Sequence, residues 1–352
     1  MNKLKRIVRF DVWQDPSMLE RFARESDIEL VTLAREGHDA LTWAALAQAH
    51  AYVISVAKDE LPHQWWANAE LAARCPNLLV VSATGAGFDT VDVPACTAAG
   101  ILVVNQAGAN AQSVAEMTFG LMLNLVHRIG QSDRRLKGKS RNFSREDLMG
   151  SELNGKTLGI VGLGHVGTRV ATLAHAFGMR VLATDPHLSA DEIRLRGGSP
   201  TSFDALLAQS DFVSLHCPRD ASTLRMINAQ AFSRMKPGAF FITTARGGIH
   251  DEEALLATLR SGHLAGAGID VWDQEPPPVD HPLLALENVL ATFHTAGVTR
   301  EARRNMGVWS AEQLINLFHG QAPPRILNPE VWPVFARRFE AAIGSPIAAM
   351  TP

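Results

Sequence analysis

Short apolar runs alternate with longer segments of helical spacing along most of this chain. In the first third, IVRFDVW (7–13), IELVTL (28–33), AYVISV (51–56), LLVVS (78–82) and ILVV (101–104) read as strands. The stretches between them, SMLERFARES, ALTWAALAQA, HQWWANAELAARC and DVPACTAAG, read as helices. Strands and helices in strict alternation predict an α/β fold, with a parallel sheet covered on both faces.

The rhythm is then interrupted. From about Ser113 to Leu136, Val114, Met117, Leu121, Met122, Leu125, Val126 and Ile129 recur at helical spacing, which predicts one rigid connector helix. Strands resume with TLGIV (157–161), MRVLAT (179–184), DFVSLH (211–216), AFFITT (239–244), AGIDV (267–271) and VLATF (289–293), about six in all. Pro237-Gly238 punctuates the entry to one of them. A second connector helix, 299–319, would carry the chain back to the first domain. The tail from Gln321 is Pro-rich and without strong periodicity. Its apolar cluster Trp332, Pro333, Val334 and Phe335 would cap the first domain or reach a neighbouring subunit. The expected domains are 1–110 plus 300–352, and 111–299.

Composition changes this picture little. With 352 residues, 46% hydrophobic and 20% charged, the chain has room for two soluble domains. A net charge of −3 gives no global attraction to nucleic acid or an anionic membrane. The densest basic run, Arg134, Arg135, Lys137, Lys139 and Arg141, reads as a solvated helix end or linker. Cys75, Cys96 and Cys217 are odd in number and far apart, which argues against disulfides or zinc and fits a reducing cytoplasm. Arg9 and Asp11 interrupt the apolar character of MNKLKRIVRFDVW, and no stretch of about 18 apolar residues exists, so neither a signal peptide nor a membrane span is expected.

The chemistry concentrates in the second half. GLGHVG (162–167) follows a strand and opens a helix, the context in which GxGxxG binds a dinucleotide. Gly162 permits the tight turn, Gly164 the approach of the pyrophosphate, and Gly167 close helix–strand packing. The amides of residues such as His165 and Val166 would face the phosphates. Asp185 ends the next strand, 18 residues beyond Gly167, where a carboxylate can accept ribose hydroxyls and repel a 2′-phosphate. Residues 186–188 supply no arginine to reverse this, so NAD is expected over NADP. Downstream lie Arg246 in TTARGG (243–248), Glu275 in DQEPPP (273–278) and His294 in FHTAG (293–297). A guanidinium, a carboxylate and an imidazole suit holding a 2-keto acid and protonating its carbonyl while a nicotinamide delivers hydride. The histidines form no HExxH or comparable cluster, so no metal is expected.

With these motifs the chain resembles the D-isomer-specific 2-hydroxyacid dehydrogenases. The likeness runs from about Val53 to Pro329 through TGAGFDTVD (84–92), SVAEMT (113–118), GKTLGIVGLGHVG (155–167), DFVSLHCP (211–218), MKPGAFFITTARGG (235–248), GIDVWDQEP (268–276) and HPLLALENVLATFHTAGVT (281–299). The resemblance implies a Rossmann NAD-binding domain inserted into a flavodoxin-like substrate domain, with the site in the crevice between, and a homodimer through the Rossmann domains. It implies that Arg246 binds the substrate carboxylate and carbonyl, that His294 is the acid/base, and that Glu275 partners its other ring nitrogen, favouring the charged imidazole and fixing its tautomer. Asp270 would meet the nicotinamide carboxamide. Cys217, Pro218, Thr223, Thr244, Ala245 and Gly297 would line the dinucleotide. Ala57 and the backbone of Thr84, Gly85, Ala86 and Gly87 would reach the substrate.

Three positions depart from the family pattern. Phe293 stands where proline usually precedes the histidine, Met117 where histidine often follows the glutamate, and Thr243 where asparagine is common. The expected reaction is NAD(H)-dependent interconversion of a 2-keto acid and a D-2-hydroxy acid; glyoxylate and hydroxypyruvate fit the family, and Phe293 could favour an apolar side chain. The alternatives are phosphite or another small anion on the same fold, or a non-enzymatic NAD-sensing, corepressor-like protein. Formate suits a Glu–His pair less well. A phosphoglycerate dehydrogenase with a C-terminal regulatory domain is disfavoured because 30 residues follow Ala322. Lys58, which could meet a second anionic group, reads as solvated.

Overall fold

The computed structural model describes residues 4–37, 39–138 and 142–350; the start of the N-terminal segment and two members of the basic run, Lys139 and Arg141, lie outside the described residues. The chain divides into two compact units, Met1–Asn110 with Thr299–Pro352, and Ala111–Val298.

The first unit opens with β1 (Lys5–Phe10), α1 (Pro16–Phe22), β2 (Ile28–Leu33), α2 (Asp39–Ala47), β3 (Ala51–Ile54), α3 (Ala69–Arg74), β4 (Val80–Ala83), α4 (Val93–Ala98) and β5 (Leu102–Val104). The strands form one sheet in the order β2-β1-β3-β4-β5, and every adjacent pair is parallel. Alternate side chains feed two cores: Ile7 and Val53 pack with Met18 and Phe22 on one face, while Val8, Phe10 and Tyr52 pack with Leu46 and Trp65 on the other. Burial on both faces is why these strands read as unbroken apolar runs. Helix starts follow local chemistry: Asp15, Asn68 and Asp92 each accept a first-turn amide, and Pro16 and Pro94 sit in the first turn. HQWWANAELAARC is not one helix. His63–Trp65 make a short 3-10 turn, and Asn68 then caps α3.

The second unit begins with α5 (Ala111–Val126) and α6 (Ile129–Lys137). The single helix expected over 113–136 is therefore broken, with Arg128 at φ 53 between the two pieces. The apolar stripe crosses the break, so spacing alone does not reveal it. There follow β6 (Thr157–Val161), α7 (His165–Ala176), β7 (Arg180–Thr184), α8 (Ala190–Leu195), β8 (Ser199–Pro200), α9 (Phe203–Gln209), β9 (Phe212–Leu215), α10 (Ala229–Arg234), β10 (Phe240–Thr243), α11 (Glu252–Arg260), β11 (Gly266–Ile269) and β12 (Val289–Ala291). The sheet runs β12-β11-β10-β9-β6-β7-β8, again with parallel pairs throughout. The seventh strand, β8, has only two residues, one of them a proline, too little to register as an apolar run. Two cores flank the sheet, one built on Phe232, Phe241 and Leu255, the other on Phe119, Met122 and Val170.

The chain returns to the first unit through α12 (Arg300–Phe318), capped by Thr299, and ends in α13 (Trp332–Ile343). Leu314 and Phe318 of α12 join the core beneath β1, and Ser310 hydrogen-bonds Ser82 of β4 at 3.2 Å. Contrary to the expectation of a non-periodic tail, α13 buries Phe335 and Phe339 completely. Its Arg338 donates to the carbonyls of Pro76, Leu78, Ala99 and Gly100 at 2.8–3.0 Å, tying the tail to the loops before β4 and β5. Among the described residues no helix is long and apolar enough to cross a membrane.

Candidate active site

The glycine loop joins β6 to α7. Gly162 has φ 89, and a Cβ there would lie 2.6 Å from the Cys217 nitrogen. At Gly167 a Cβ would lie 2.2 Å from the Gly162 carbonyl, whereas at Gly164 it would point into open space. Two glycines are thus demanded by packing, and the third leaves a bare approach to the backbone. Gly164 caps α7 and, being glycine, puts no side chain over the first turn, where the His165 and Val166 amides lie. A pyrophosphate fits this cradle on both counts. Asp185 follows β7; its Oδ2 accepts the Leu163 amide at 2.8 Å and its Oδ1 the His187 amide at 3.0 Å, which fixes the carboxylate beside the loop. Arg196, just beyond α8, donates to the Leu163 carbonyl at 2.8 Å. Nothing in the local sequence marks it, because it reaches the loop from the far end of the following helix.

The backbone of His216 and Cys217 lies over Gly162. Thr223 Oγ1 donates to the Pro218 carbonyl at 2.8 Å and accepts the Asp220 amide at 2.9 Å, closing that loop. Burial, together with the Asp220 and Asp185 charges, pushes the Cys217 thiol up to about 11, so it stays protonated. Thr244 is buried with its hydroxyl 3.3 Å from that of Thr118 on α5, and Ala245 beside it is buried too.

His294 and Glu275 are brought together: Nδ1 and Oε2 are 2.8 Å apart. Glu275 Oε1 accepts the Trp272 amide at 3.1 Å, which orients the carboxylate. Burial works to raise the Glu275 pKa, but the His294 hydrogen bond and charge, the Trp272 amide and the Arg246 charge together hold it below its ordinary value. Arg246 therefore acts on the pair electrostatically. Its Nη1 donates to the Ala245 carbonyl at 2.7 Å, and its loop lies so close to Trp272 that a Cβ at Gly247 would stand 1.8 Å from that carbonyl. His294 Nε2 makes no hydrogen bond among the described residues, and the side chain is 38% exposed, so this nitrogen is open to a reactant.

The backbone at His294 is left-handed, with φ 45, and its amide donates to the Asp270 carbonyl at 2.7 Å. Asp270 is fully buried. Its Oδ1 accepts the Thr292 hydroxyl at 2.6 Å and the Thr295 amide at 2.9 Å, and its Oδ2 accepts the Ala296 amide at 2.9 Å. Asp270 thus holds the loop that carries His294 and continues to Gly297. This clamping was not legible from spacing, since it joins segments more than twenty residues apart. Phe293 is 49% exposed, and Met117 packs against the core under α5.

Ala57 and Thr84–Gly87 belong to the first unit. Thr84 directly follows β4, and its amide donates to the Ile54 carbonyl at 2.9 Å. A Cβ at Gly85 would meet Val56 at 2.9 Å, so the two loops approach closely only because that residue is glycine. Asn105 donates to the Ala86 carbonyl at 2.7 Å and steadies the turn. Elsewhere in this unit Glu25, Asp27 and His319 cluster, but Arg21 and Lys5 already pair with the two carboxylates, at 2.5 and 2.7 Å.

Two parallel α/β units, one with a dinucleotide loop and a Glu–His pair, define a class of nucleotide-dependent oxidoreductase folds. The family described as D-isomer specific 2-hydroxyacid dehydrogenase, NAD binding domain, matches residues 119–296. The chain is 39% identical to a glyoxylate reductase of Thermofilum pendens over 75% of its own length and 79% of the relative's. It is 41% identical to a D-3-phosphoglycerate dehydrogenase of Archaeoglobus fulgidus over 76% of its length, but spans about half of that protein (50%). The fold superposes on a glyoxylate reductase structure from Paecilomyes thermophila with a TM-score of 0.81 and 26% identity, covering 94% of this chain and 100% of that one. The chain belongs to the D-isomer specific 2-hydroxyacid dehydrogenase family.

Proposed function

We propose that the protein interconverts a 2-keto acid and a D-2-hydroxy acid with NAD(H). The observation that carries this reading is the His294–Glu275 pair at 2.8 Å, with Nε2 left open, in the unit that matches the NAD-binding family. A nicotinamide dinucleotide bound at the glycine loop supplies or accepts the hydride. Gly162, Gly164, His165, Val166 and Gly167 would cradle its pyrophosphate and Asp185 its ribose, with Cys217, Pro218, Thr223, Thr244, Ala245 and Gly297 along its length.

Glu275 holds the Nδ1 side of the ring and favours a proton there. His294 then gives a proton from Nε2 to the developing alkoxide in reduction and takes it back in oxidation. Arg246 offers paired donors to the substrate carboxylate and offsets negative charge on the carbonyl oxygen. Ala57 and the Thr84–Gly87 backbone are the first unit's candidates for substrate binding. Asp270 acts as a positioning residue, holding the His294 loop, and its nearness to that loop also suits a contact with the carboxamide. NADH is preferred to NADPH because Asp185 would repel a 2′-phosphate while Arg196 is engaged by the Leu163 carbonyl. The glyoxylate and hydroxypyruvate reductases among its relatives support small keto acids as substrates. The active form is a homodimer.

His294→Gln and Arg246→Ala test the reading in an NADH oxidation assay. His294→Gln is expected to lower kcat by about 10²–10⁴-fold while NADH binding by fluorescence persists. Unchanged turnover in both variants would remove the site assignment.

A further inference from the structure

The strand order β2-β1-β3-β4-β5 reverses direction between β1 and β3, and the carboxyl ends of those two strands form the switch-point crevice where open parallel sheets bind ligands. Arg9 stands there, near the end of β1, only 5% exposed. Its guanidinium has five N–H donors. Among the described residues it makes a single hydrogen bond, from Nη2 to the Val12 carbonyl. Burial pulls its pKa below the usual arginine value, and the Asp11 charge opposes that, but Asp11 forms no hydrogen bond to it. A cavity of about 10 Å³ lies against Arg9, bounded also by Gln14, Ser55, Leu61 and Thr84. Thr84 and Gln14 line it, and neither the Thr84 hydroxyl nor the Gln14 side-chain amide makes a hydrogen bond among the described residues. Ser55 is committed to Glu60, whose carboxylate also stands 4.0 Å from Arg303.

A nearly buried cation with most of its donors unspent, beside two more polar groups, calls for an acceptor bearing negative charge. The space holds roughly one oxygen-sized group, so the fitting ligand places one oxygen inside and keeps the rest at the mouth. We propose that Arg9, with Thr84 and Gln14, forms a subsite for a compact anionic group, the carboxylate or phosphate at the tail of a substrate. This makes Arg9 a specificity-determining residue for keto acids with a second anion. The kinetic consequence rests on the proposed function; the binding consequence does not.

The test begins with thermal melts of the full chain in inorganic phosphate or malonate against chloride at matched ionic strength. Tm is expected to rise with an anion that binds the native state, and the rise is expected to vanish in Arg9→Met and in Gln14→Glu. Gln14→Glu sets a carboxylate at the partly exposed rim and blocks Arg9 without emptying a buried site, so it decides the matter even where Arg9→Met does not fold. In NADH oxidation, oxaloacetate and 3-phosphohydroxypyruvate distinguish a carboxylate tail from a phosphate tail. Arg9→Met is expected to lower kcat/KM for one of them by about tenfold or more, with pyruvate little changed. Melts insensitive to both anions, protection that survives both variants, or an equal loss on pyruvate would each overturn the subsite. No turnover of any keto acid, with Arg9-dependent protection intact, would instead remove the proposed reaction and leave the subsite standing.

Discussion

At His294 three constraints meet: a left-handed backbone, an amide held by the Asp270 carbonyl, and a ring nitrogen held by Glu275. Asp270→Asn keeps the size but turns one acceptor into a donor facing the 292–296 amides. It is expected to lower kcat more than it raises the KM for NADH, which steady-state kinetics would separate; a change confined to NADH binding would place Asp270 at the cofactor alone. Two further histidines, the half-buried His216 and the buried His250, tie stability to pH. Burial pushes the His216 imidazole down to about 3, and His250, neither of whose nitrogens hydrogen-bonds among the described residues, down to about 4. The sign follows from proton uptake. Below pH 6.5 the unfolded chain binds protons that the native state refuses until its lowered pKa, so stability falls as pH falls from about 6.5 towards 4. His250→Leu is expected to flatten that slope by about 1.4 kcal/mol per pH unit, measured by urea unfolding between pH 6.5 and 4.5. An unchanged slope would mean that His250 is not protected in the native state. Arg246, Glu275 and His294 were legible because each sits in a short motif. Asp270's clamp, Arg196 and Arg338 were not, because their partners lie on distant segments or are backbone carbonyls that any sequence provides.

Most strands were readable at the level of elements because a doubly covered parallel strand is a continuous apolar run; IELVTL and TLGIV match β2 and β6 residue for residue. Helix ends depended on caps such as Asn68, which periodicity does not weigh. The break at Arg128 and the helix α13 were missed for opposite reasons: one keeps its apolar stripe across a discontinuity, the other hides its stripe behind prolines and loop residues. α13 is integral to the first unit's core. Phe335→Ala is expected to cost about 3–5 kcal/mol by denaturant unfolding, as for a large buried aromatic. A loss below about 1 kcal/mol would show that the tail is dispensable.

For the whole molecule, the candidate functional loops lie at the carboxyl ends of strands in each sheet: the glycine loop after β6, the Arg246 loop after β10, and the Thr84 loop after β4. A parallel sheet in each unit was foreseeable from the βα rhythm and its restart at 157, and the glycine motif marked the nucleotide half; the strand orders were not, because apolar runs do not say which strands pair. Cofactor preference belongs to this scale because Asp185 and Arg196 reach the same loop from different elements. NADH is expected to bind more tightly than NADPH by fluorescence titration, and Asp185→Ala to narrow the gap; equal affinities in the native protein would contradict the role given to Asp185.

The most direct test is NADH oxidation with glyoxylate, hydroxypyruvate, pyruvate, phenylpyruvate and 2-ketoisocaproate, run side by side on the native chain and His294→Gln, with chiral analysis of the product. The account predicts a D-2-hydroxy acid from at least one of these and a loss of about 10²–10⁴-fold in the variant. An L-product, or equal rates in the two proteins, would contradict it.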